Sequence, residues 1–154
     1  MSLTIETPLG NIVLVLRRDA APVTADYIGK LCQHKLYDNT SFYRSDFVIQ
    51  CGTHGLNRAN PLGDLPVNET AQHAKVSNTR GTAAIAHFDV PDNGNSEFFI
   101  NLQPNTHLDD VYGGYCVFAQ IADADSASYA TVEKIKDAVK AQGKVAITTM
   151  RYSE

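Results

Sequence analysis

Two short runs of the sequence place polar or charged side chains beside aromatic rings, a combination suited to a partly hydrophobic binding groove. In "SEFFINL", residues 96–102, alternation along a strand puts Phe98 and Ile100 on one face and Glu97 and Phe99 on the other. Since Phe98 and Ile100 already provide an apolar row for a core, Phe99 is predicted to lie on the face away from the core, next to a carboxylate.

A second run, "FYRSDFVIQCG", has the same pattern of apolar and polar groups on the face away from the core. Val48 and Gln50 alternate with residues that face the core, and Arg44 and Phe47 lie just before them. A guanidinium is an always-charged hydrogen-bond donor, and with apolar side chains beside it this face could form a shallow, partly hydrophobic binding groove. The alternative is that Arg44 is an ordinary surface salt-bridge residue.

The cysteines and histidines give weaker indications of chemistry. Three cysteines without CxxC spacing are typical of buried free thiols in a reducing compartment, rather than of disulfides or a metal site: Cys32, Cys51 and Cys116. Five histidines show no convincing spacing for zinc: His34, His54, His73, His87 and His107. A hydrolase triad of Ser96, His87 and Asp89 is conceivable, but no nucleophile elbow accompanies it.

Composition narrows the class of protein. The 154 residues fit one domain, residues 1–154, with a sizeable core. Thirteen Lys and Arg against seventeen Asp and Glu give a net charge of -4 without a basic block, which argues against nucleic acid or a membrane surface as partner. No apolar run approaches the ~20 residues that span a bilayer, and no export signal is visible, so we expect a cytoplasmic protein.

Short strands dominate the elements that must position these residues. The segments "SLTIET" and "NIVLVL" flank the turn "PLG" and predict a hairpin with the apolar positions Leu3, Ile5, Ile12 and Leu14. Six further strand-like runs follow: "SFYR", "FVIQC", "TRGTAAIAH", "SEFFINL", "YCVFAQI" and "KVAITTM". The sequence therefore predicts about eight strands.

Two segments have helical periodicity instead. One begins at Pro22 and carries the stripe Val23, Tyr27, Ile28 and Leu31; the other carries Val132, Ile135 and Val139 and stops at Gly143. Two helices are too few for the crossovers of a parallel sheet, so a barrel or sandwich is favoured, with helices able to cap a barrel. The long loop at residues 52–78 is either a wall of a binding site or a surface excursion.

Four runs resemble the cyclophilin-type peptidyl-prolyl cis-trans isomerases, in the family's order and close to its spacing. They are "FYRSDFVIQCG", "NTRGTAAIAH", "NGNSEFFINL" and "HLDDVYGGYCVFAQI". The resemblance covers nearly the whole chain and is closest to the compact, bacterial-type members. It implies a mainly β fold, a closed eight-stranded antiparallel barrel capped by two α-helices.

The resemblance also implies roles for individual residues. Arg44 is the expected catalytic residue, and Phe99 the expected contact to a substrate proline ring. The other residues expected to bind substrate are Phe47, Val48, Gln50, Ala86, Glu97, His107, Leu108 and Tyr115. The implied function is rotation about X-Pro bonds of proline-containing peptides and unfolded proteins, assisting protein folding without metal or cofactor. A proline-binding module with little catalysis is the alternative.

Four departures from the family pattern affect these expectations. The segment from Arg44 to Phe47 is two residues shorter than usual and lacks a Pro-Gly pair. His107 replaces a Trp whose indole helps bind cyclosporin A, so we expect weakened binding of that inhibitor. Tyr115 replaces a pocket His in many members. Glu97 replaces a Gln.

The Glu97 departure gives a specific hypothesis. A carboxylate near Arg44 would attract the guanidinium and compete with the substrate for its donors. On that hypothesis, Glu97→Gln raises activity. The alternatives are that Glu97 holds the guanidinium in position or stays solvated with little effect.

Overall fold

Short antiparallel strands dominate the part of the chain that the computed structural model describes, residues 1–65, 67–87 and 94–154. Nine strands lie in these residues: β1 (Ser2–Thr7), β2 (Gly10–Leu16), β3 (Thr40–Ser45), β4 (Val48–Gly52), β5 (Thr82–Ile85), β6 (Phe98–Asn101), β7 (Val117–Gln120), β8 (Val145–Ile147) and β9 (Thr149–Ser153). The two α-helices are α1 (Pro22–Gln33) and α2 (Ser126–Gln142). Neither described α-helix is both long and apolar enough to cross a membrane.

The last segment of the chain nearly closes the sheet, because its two strands pair at opposite edges. In the order β8-β3-β4-β6-β5-β7-β2-β1-β9, β8 pairs with β3 and β9 pairs with β1. Between them the N–H of Thr148 donates to the carbonyl of Glu6 over 2.8 Å. The predicted antiparallel barrel with two helices is confirmed, but the described residues form nine strands rather than eight, and the barrel is nearly closed rather than closed. The run "KVAITTM" is two strands rather than one, because the chain passes from one edge to the other at Thr148.

The opening hairpin and the second helix follow their predicted patterns. β1 and β2 pair antiparallel, and their predicted apolar positions are fully buried: Leu3, Ile5, Ile12 and Leu14. α2 begins where the side chain of Asp125 accepts from the N–H of Ser128 over 3.0 Å. It ends at Gly143, whose φ of 88° is left-handed and whose N–H bonds the carbonyl of Val139.

The first helix differs from its prediction at one position. Val23 was expected on the buried stripe, but it is 51% exposed, so that prediction is wrong. The stripe instead passes through Thr24, Ile28 and Leu31, at positions i, i+4 and i+7. Thr24 is buried because Glu69 reaches the start of the helix, where its carboxylate accepts from the N–H groups of Val23 and Thr24 over 3.2 and 2.6 Å.

Buried apolar side chains form two separate clusters on opposite faces of β4 and β6. Ile49 and Phe98 belong to the main core and are 0% exposed. Val48 and Phe99, the neighbours with opposite alternation, belong to a second cluster. That cluster consists of Val48, Ala84, Phe99, Leu108 and Val117, with Phe47, Val76, Ala86 and Tyr115 packed against it. The unusual alternation of both strands thus reflects a second, smaller apolar cluster.

Candidate active site

The second cluster lies at an open pocket of about 560 Å³. The structure brings together at this pocket every predicted site residue except His107: Arg44, Phe47, Val48, Gln50, Ala86, Glu97, Phe99, Leu108 and Tyr115. His107 adjoins the pocket through Phe47, since the two ring centroids are 5.7 Å apart. Of the two alternatives left open for the long loop after β4, the structure favours a wall of the pocket, since four residues of the loop line it: Thr53, His54, Asn60 and Asp64.

Strand register explains how distant parts of the sequence meet here. In the β4–β6 pair Gln50 lies opposite Phe99, and in the β5–β6 pair Ala84 lies opposite Phe99. Directly opposed residues on one face of an antiparallel pair have side chains within contact distance. Leu108 comes from a short 3₁₀ helix, Thr106–Asp109. One polar and two apolar side chains therefore converge on the Phe99 ring.

The Phe99 ring is more buried than the sequence suggests. It lies on the predicted face but is only 4% exposed, because the second cluster surrounds it. Tyr115 packs against it edge-to-face, with ring centroids 5.7 Å apart. The ring of His87 stacks on Tyr115 in turn, at 4.2 Å. These contacts fix the aromatic side of the pocket.

Arg44 lies at the rim with two of its three guanidinium nitrogens engaged. Its Nε donates to Asp46 Oδ2 over 2.8 Å, and its Nη1 donates to Gln50 Oε1 over 3.0 Å. The guanidinium carbon is 5.3 Å from the centroid of the Phe47 ring. Among the residues that the structure describes, none accepts a hydrogen bond from Nη2.

The shortened segment between Arg44 and Phe47 is a tight turn held by Asp46. Besides pairing with Arg44, Asp46 accepts from the N–H of Val48 through Oδ1 over 3.2 Å, and its own N–H donates to the Val48 carbonyl over 3.0 Å. A side chain that bonds the backbone two residues on is a common device for closing a short turn. Asp46 thus holds the shortened turn closed through its side chain and its own backbone.

Glu97 does not engage Arg44, so the hypothesis of direct competition is wrong. Its Oε1 accepts from the Tyr43 hydroxyl over 2.7 Å and from the His54 N–H over 3.1 Å. Its Oε2 accepts from the Thr53 N–H over 2.9 Å and from the Ser96 hydroxyl over 2.8 Å. With four donors around it, the carboxylate has its hydrogen bonds satisfied away from the guanidinium.

Gly52 explains why the carboxylate can approach the loop backbone so closely. Its φ of +145° is a conformation that other residues rarely adopt, and a Cβ there would overlap the Glu97 carboxylate. The backbone after Gly52 therefore presents two successive N–H groups to Glu97, an arrangement that favours an anion.

Tyr43 is a pocket residue that the sequence reasoning missed. Strand alternation places it on the opposite face from Arg44, but a register irregularity between Phe42 and Arg44 lets both Tyr43 and Arg44 line the pocket. Burial, and then the hydrogen bond to Glu97, raise the pKa of Tyr43. No local signal in the sequence marks this irregularity. His87, Asn95 and Ser96 also line the pocket without having been predicted to bind substrate.

A ladder of buried amides supports the shortened rim from beneath. Asn105 Nδ2 donates to the carbonyl of Phe47 over 3.0 Å and to Asn101 Oδ1 over 2.9 Å. Asn101 donates to Asn78 Oδ1 over 3.0 Å, and the Asn78 side chain donates to Asp109 Oδ1 over 2.9 Å. Burial disfavours the Asp109 charge, but hydrogen bonds from Ser77 and Asn78 outweigh it and lower the pKa of Asp109.

The alternative chemistries find less support at this site. The Ser96 hydroxyl is engaged by Glu97 and Thr53, and Asp89 of the conceivable triad lies outside the described residues. All three cysteines are free and buried, as expected, and burial raises the pKa of Cys32 to about 12. Within the described residues, no group of three or more His, Cys, Asp or Glu side chains could hold a metal ion.

Known proteins of one family match this chain over nearly its whole length. The family model described as "Cyclophilin type peptidyl-prolyl cis-trans isomerase/CLD" matches residues 2–152. Peptidyl-prolyl cis-trans isomerase B of Escherichia coli is 34% identical over 140 residues, which cover 86% of this chain and 82% of the relative. Peptidyl-prolyl cis-trans isomerase-like 3 of Rhizopus delemar is 31% identical, covering 88% and 83%.

A solved structure supports the same fold. The crystal structure of a cyclophilin-type peptidyl-prolyl cis-trans isomerase of Cryptosporidium parvum, in the presence of the dipeptide Ala-Pro, superposes with a TM-score of 0.81. At 19% identity it covers 100% of this chain and 99% of its own, so it bears on the fold alone. Family model, relatives and fold agree, and the chain belongs to the cyclophilin-type peptidyl-prolyl cis-trans isomerases.

Proposed function

We propose that this protein catalyses rotation about X-Pro peptide bonds at the pocket beside Arg44, with Arg44 as the catalytic residue. One observation carries the proposal: Arg44 has two nitrogens held by Asp46 and Gln50, while Nη2 has no acceptor among the described residues. A held guanidinium with one unengaged nitrogen, at the edge of an apolar pocket, is suited to donating to a substrate.

The reaction requires stabilisation of a twisted amide rather than bond cleavage. Rotation breaks amide resonance, with a barrier of ~18–20 kcal/mol. An acceleration of about 10⁵ requires ~7 kcal/mol of preference for the twisted form, since each tenfold corresponds to ~1.36 kcal/mol. Arg44 contributes by donating to the proline nitrogen, whose lone pair localises as resonance is lost, or to a neighbouring carbonyl oxygen.

The apolar residues of the pocket supply the anchor against which the bond turns. Phe99, Val48 and Leu108 are each at least nine-tenths buried and belong to one cluster, so they offer a preformed surface for a proline ring. Phe47 and Tyr115 flank this surface with aromatic rings. Holding the ring fixed leaves the other side of the bond free to rotate, which favours the transition state over either planar form.

The substrates we propose are exposed X-Pro bonds in flexible or unfolded polypeptides, met in the cytoplasm during protein folding. The Cryptosporidium parvum structure was solved in the presence of the dipeptide Ala-Pro, a proline peptide of the kind that we propose for this chain. His107 stands where an indole would assist cyclosporin A, so we expect weakened affinity for that inhibitor. Replacing His107 by Trp should tighten it.

The competing function is a proline-binding module that has lost turnover. Two-dimensional proton exchange spectroscopy on a short Ala-Pro peptide, with catalytic amounts of protein, separates the two. Accelerated cis-trans exchange supports the isomerase. Line broadening from binding, with exchange at the uncatalysed rate of tens to hundreds of seconds, would leave only the module.

A further inference from the structure

A continuous chain of hydrogen bonds joins Glu97 to Arg44 through two intervening side chains. The Tyr43 hydroxyl donates to Glu97 Oε1 over 2.7 Å, Gln50 Nε2 donates to the Tyr43 oxygen over 3.0 Å, and Arg44 Nη1 donates to Gln50 Oε1 over 3.0 Å. The chain thus connects Glu97 and Arg44 without direct contact between them.

The acceptor-only carboxylate of Glu97 and the donor-only guanidinium of Arg44 require the same direction for every bond in this chain. A carboxylate only accepts hydrogen bonds, so the single proton of Tyr43 must point toward it. The Tyr43 oxygen must then accept from Gln50, which turns the amide so that its carbonyl oxygen faces Arg44. A guanidinium has no acceptor, so this is the one amide orientation that can hold Arg44.

The far end of the chain is anchored to the loop backbone. Glu97 accepts from the N–H groups of both Thr53 and His54, one on each carboxylate oxygen. A glutamine at this position would turn its amide nitrogen toward one of these N–H groups or the other. Only the carboxylate can accept from both N–H groups and from the Tyr43 hydroxyl at once, since an amide has a single accepting oxygen.

We propose that Glu97 and Tyr43 are positioning residues that, through Gln50, hold the Arg44 guanidinium in its productive orientation. The proposal rests on the proposed isomerase function. In it Glu97 supports Arg44, whereas the sequence hypothesis had Glu97 compete with the substrate for the donors of Arg44. Tyr43 keeps its proton at neutral pH, since burial and the Glu97 bond raise its pKa above its ordinary value. Glu97→Gln is accordingly expected to lower activity.

The test compares Tyr43→Phe and Glu97→Gln with matched controls away from the pocket. Tyr152→Phe removes a hydroxyl near Arg18, and Glu133→Gln removes an exposed carboxylate paired with Lys136. Exchange rates at saturating Ala-Pro peptide should fall about three- to tenfold in the two pocket variants, the effect of one lost hydrogen bond. Peptide affinity should change less than twofold, and the controls should match the wild type.

Measuring Tyr43→Phe in the Arg44→Ala protein as well separates positioning of Arg44 from a general effect on the fold. In Arg44→Ala protein, Tyr43→Phe should cause no further loss of exchange rate, because the chain no longer has a guanidinium to hold. An equal loss in both backgrounds would overturn the proposal, since it would mean that Tyr43 acts on the fold rather than through Arg44.

Nitrogen-15 spectra of the Arg44 guanidinium provide a readout independent of catalysis. With the chain intact, rotation of the guanidinium should be restricted and its Nη signals distinct; in Tyr43→Phe they should average. Signals unchanged by Tyr43→Phe would refute the positioning role even if the wild type is an active isomerase. If the wild type fails to accelerate exchange, the proposed function fails, and these signals alone decide whether Glu97 positions Arg44.

Discussion

Arg44 and Asp46 form an ion pair of 2.8 Å between Nε and Oδ2, across the tight turn from β3 to β4. Both side chains are about two-fifths exposed, at 43% and 44%, so the pair is screened by salt and contributes at most ~1 kcal/mol to stability. Its main consequence is therefore the direction of the guanidinium rather than the stability of the fold.

Replacing Asp46 by Asn should reduce turnover two- to fivefold, because the neutral amide holds Arg44 less firmly. Exchange spectroscopy in a series of NaCl concentrations checks the cause: wild-type turnover should fall as salt screens the pair, and the variant should respond less. Asp19→Asn is the control, because Asp19 pairs with Arg17 at the same spacing outside the pocket. Identical salt responses in wild type and Asp46→Asn would contradict this account.

Gly52 should be far less tolerant of a side chain than Gly55 in the same loop. Both have positive φ, +145° and +80°, but only at Gly52 would a Cβ overlap Glu97. Gly55 has open space around it. We expect Gly52→Ala to lower the free energy of unfolding by about 2–4 kcal/mol and Gly55→Ala by about 1 kcal/mol. Urea denaturation measures both losses of unfolding free energy. Equal losses would mean that the overlap with Glu97 adds nothing to the cost of a side chain at Gly52.

Adjacent phenylalanines should separate binding from stability. Phe99→Leu should weaken affinity for an Ala-Pro peptide about tenfold, the effect of ~1.4 kcal/mol of lost ring contact. Phe98→Leu makes the same change in the main core, where Phe98 is 0% exposed, so stability should fall with affinity unchanged. Calorimetric titration and urea denaturation of both variants test this. Loss of affinity in Phe98→Leu alone would reverse the assignment of the two faces.

Asp109 should make the fold sensitive to acid. Its pKa is lowered in the folded protein, so its contribution to stability is present above the unfolded value of ~3.9 and is lost as pH falls through the lower folded value. Asp109→Asn should therefore flatten the fall in unfolding free energy below about pH 4. Asp110→Asn, the neighbouring residue with a side chain 83% exposed, is the control. A steeper acid transition in Asp109→Asn would contradict the lowered pKa of Asp109 in the folded protein.

Most of the fold and pocket could be predicted from the sequence because strand alternation and family motifs are local signals. The two faces of β6 follow from the alternation of Phe98 and Phe99 alone. Position along the chain does not reveal which side chains bond to each other: the irregularity that turns Tyr43 into the pocket depends on pairing with β4. Likewise, two of the four partners of Glu97, Thr53 and His54, lie in the loop after β4, and Gly52 is the only residue whose type indicates the path of this loop.

The exposure of Val23 has a similar origin. Its apolar character and helical spacing favoured burial, but α1 buries Thr24, and Glu69, more than forty residues later in the chain, accepts from the N–H groups at the helix start. Such tertiary contacts outweigh the local preference of a residue for burial, and they cannot be recognised from the neighbouring sequence.

The most direct test of the account is the rate of cis-trans exchange in a saturated Ala-Pro peptide, compared between wild-type protein, Arg44→Ala and Arg44→Lys. If the guanidinium fork stabilises the twisted amide, wild-type protein accelerates exchange, and both variants lose most of that acceleration while still binding the peptide. Acceleration that survives in Arg44→Ala would show that the chemistry lies elsewhere in the pocket and would contradict the central claim.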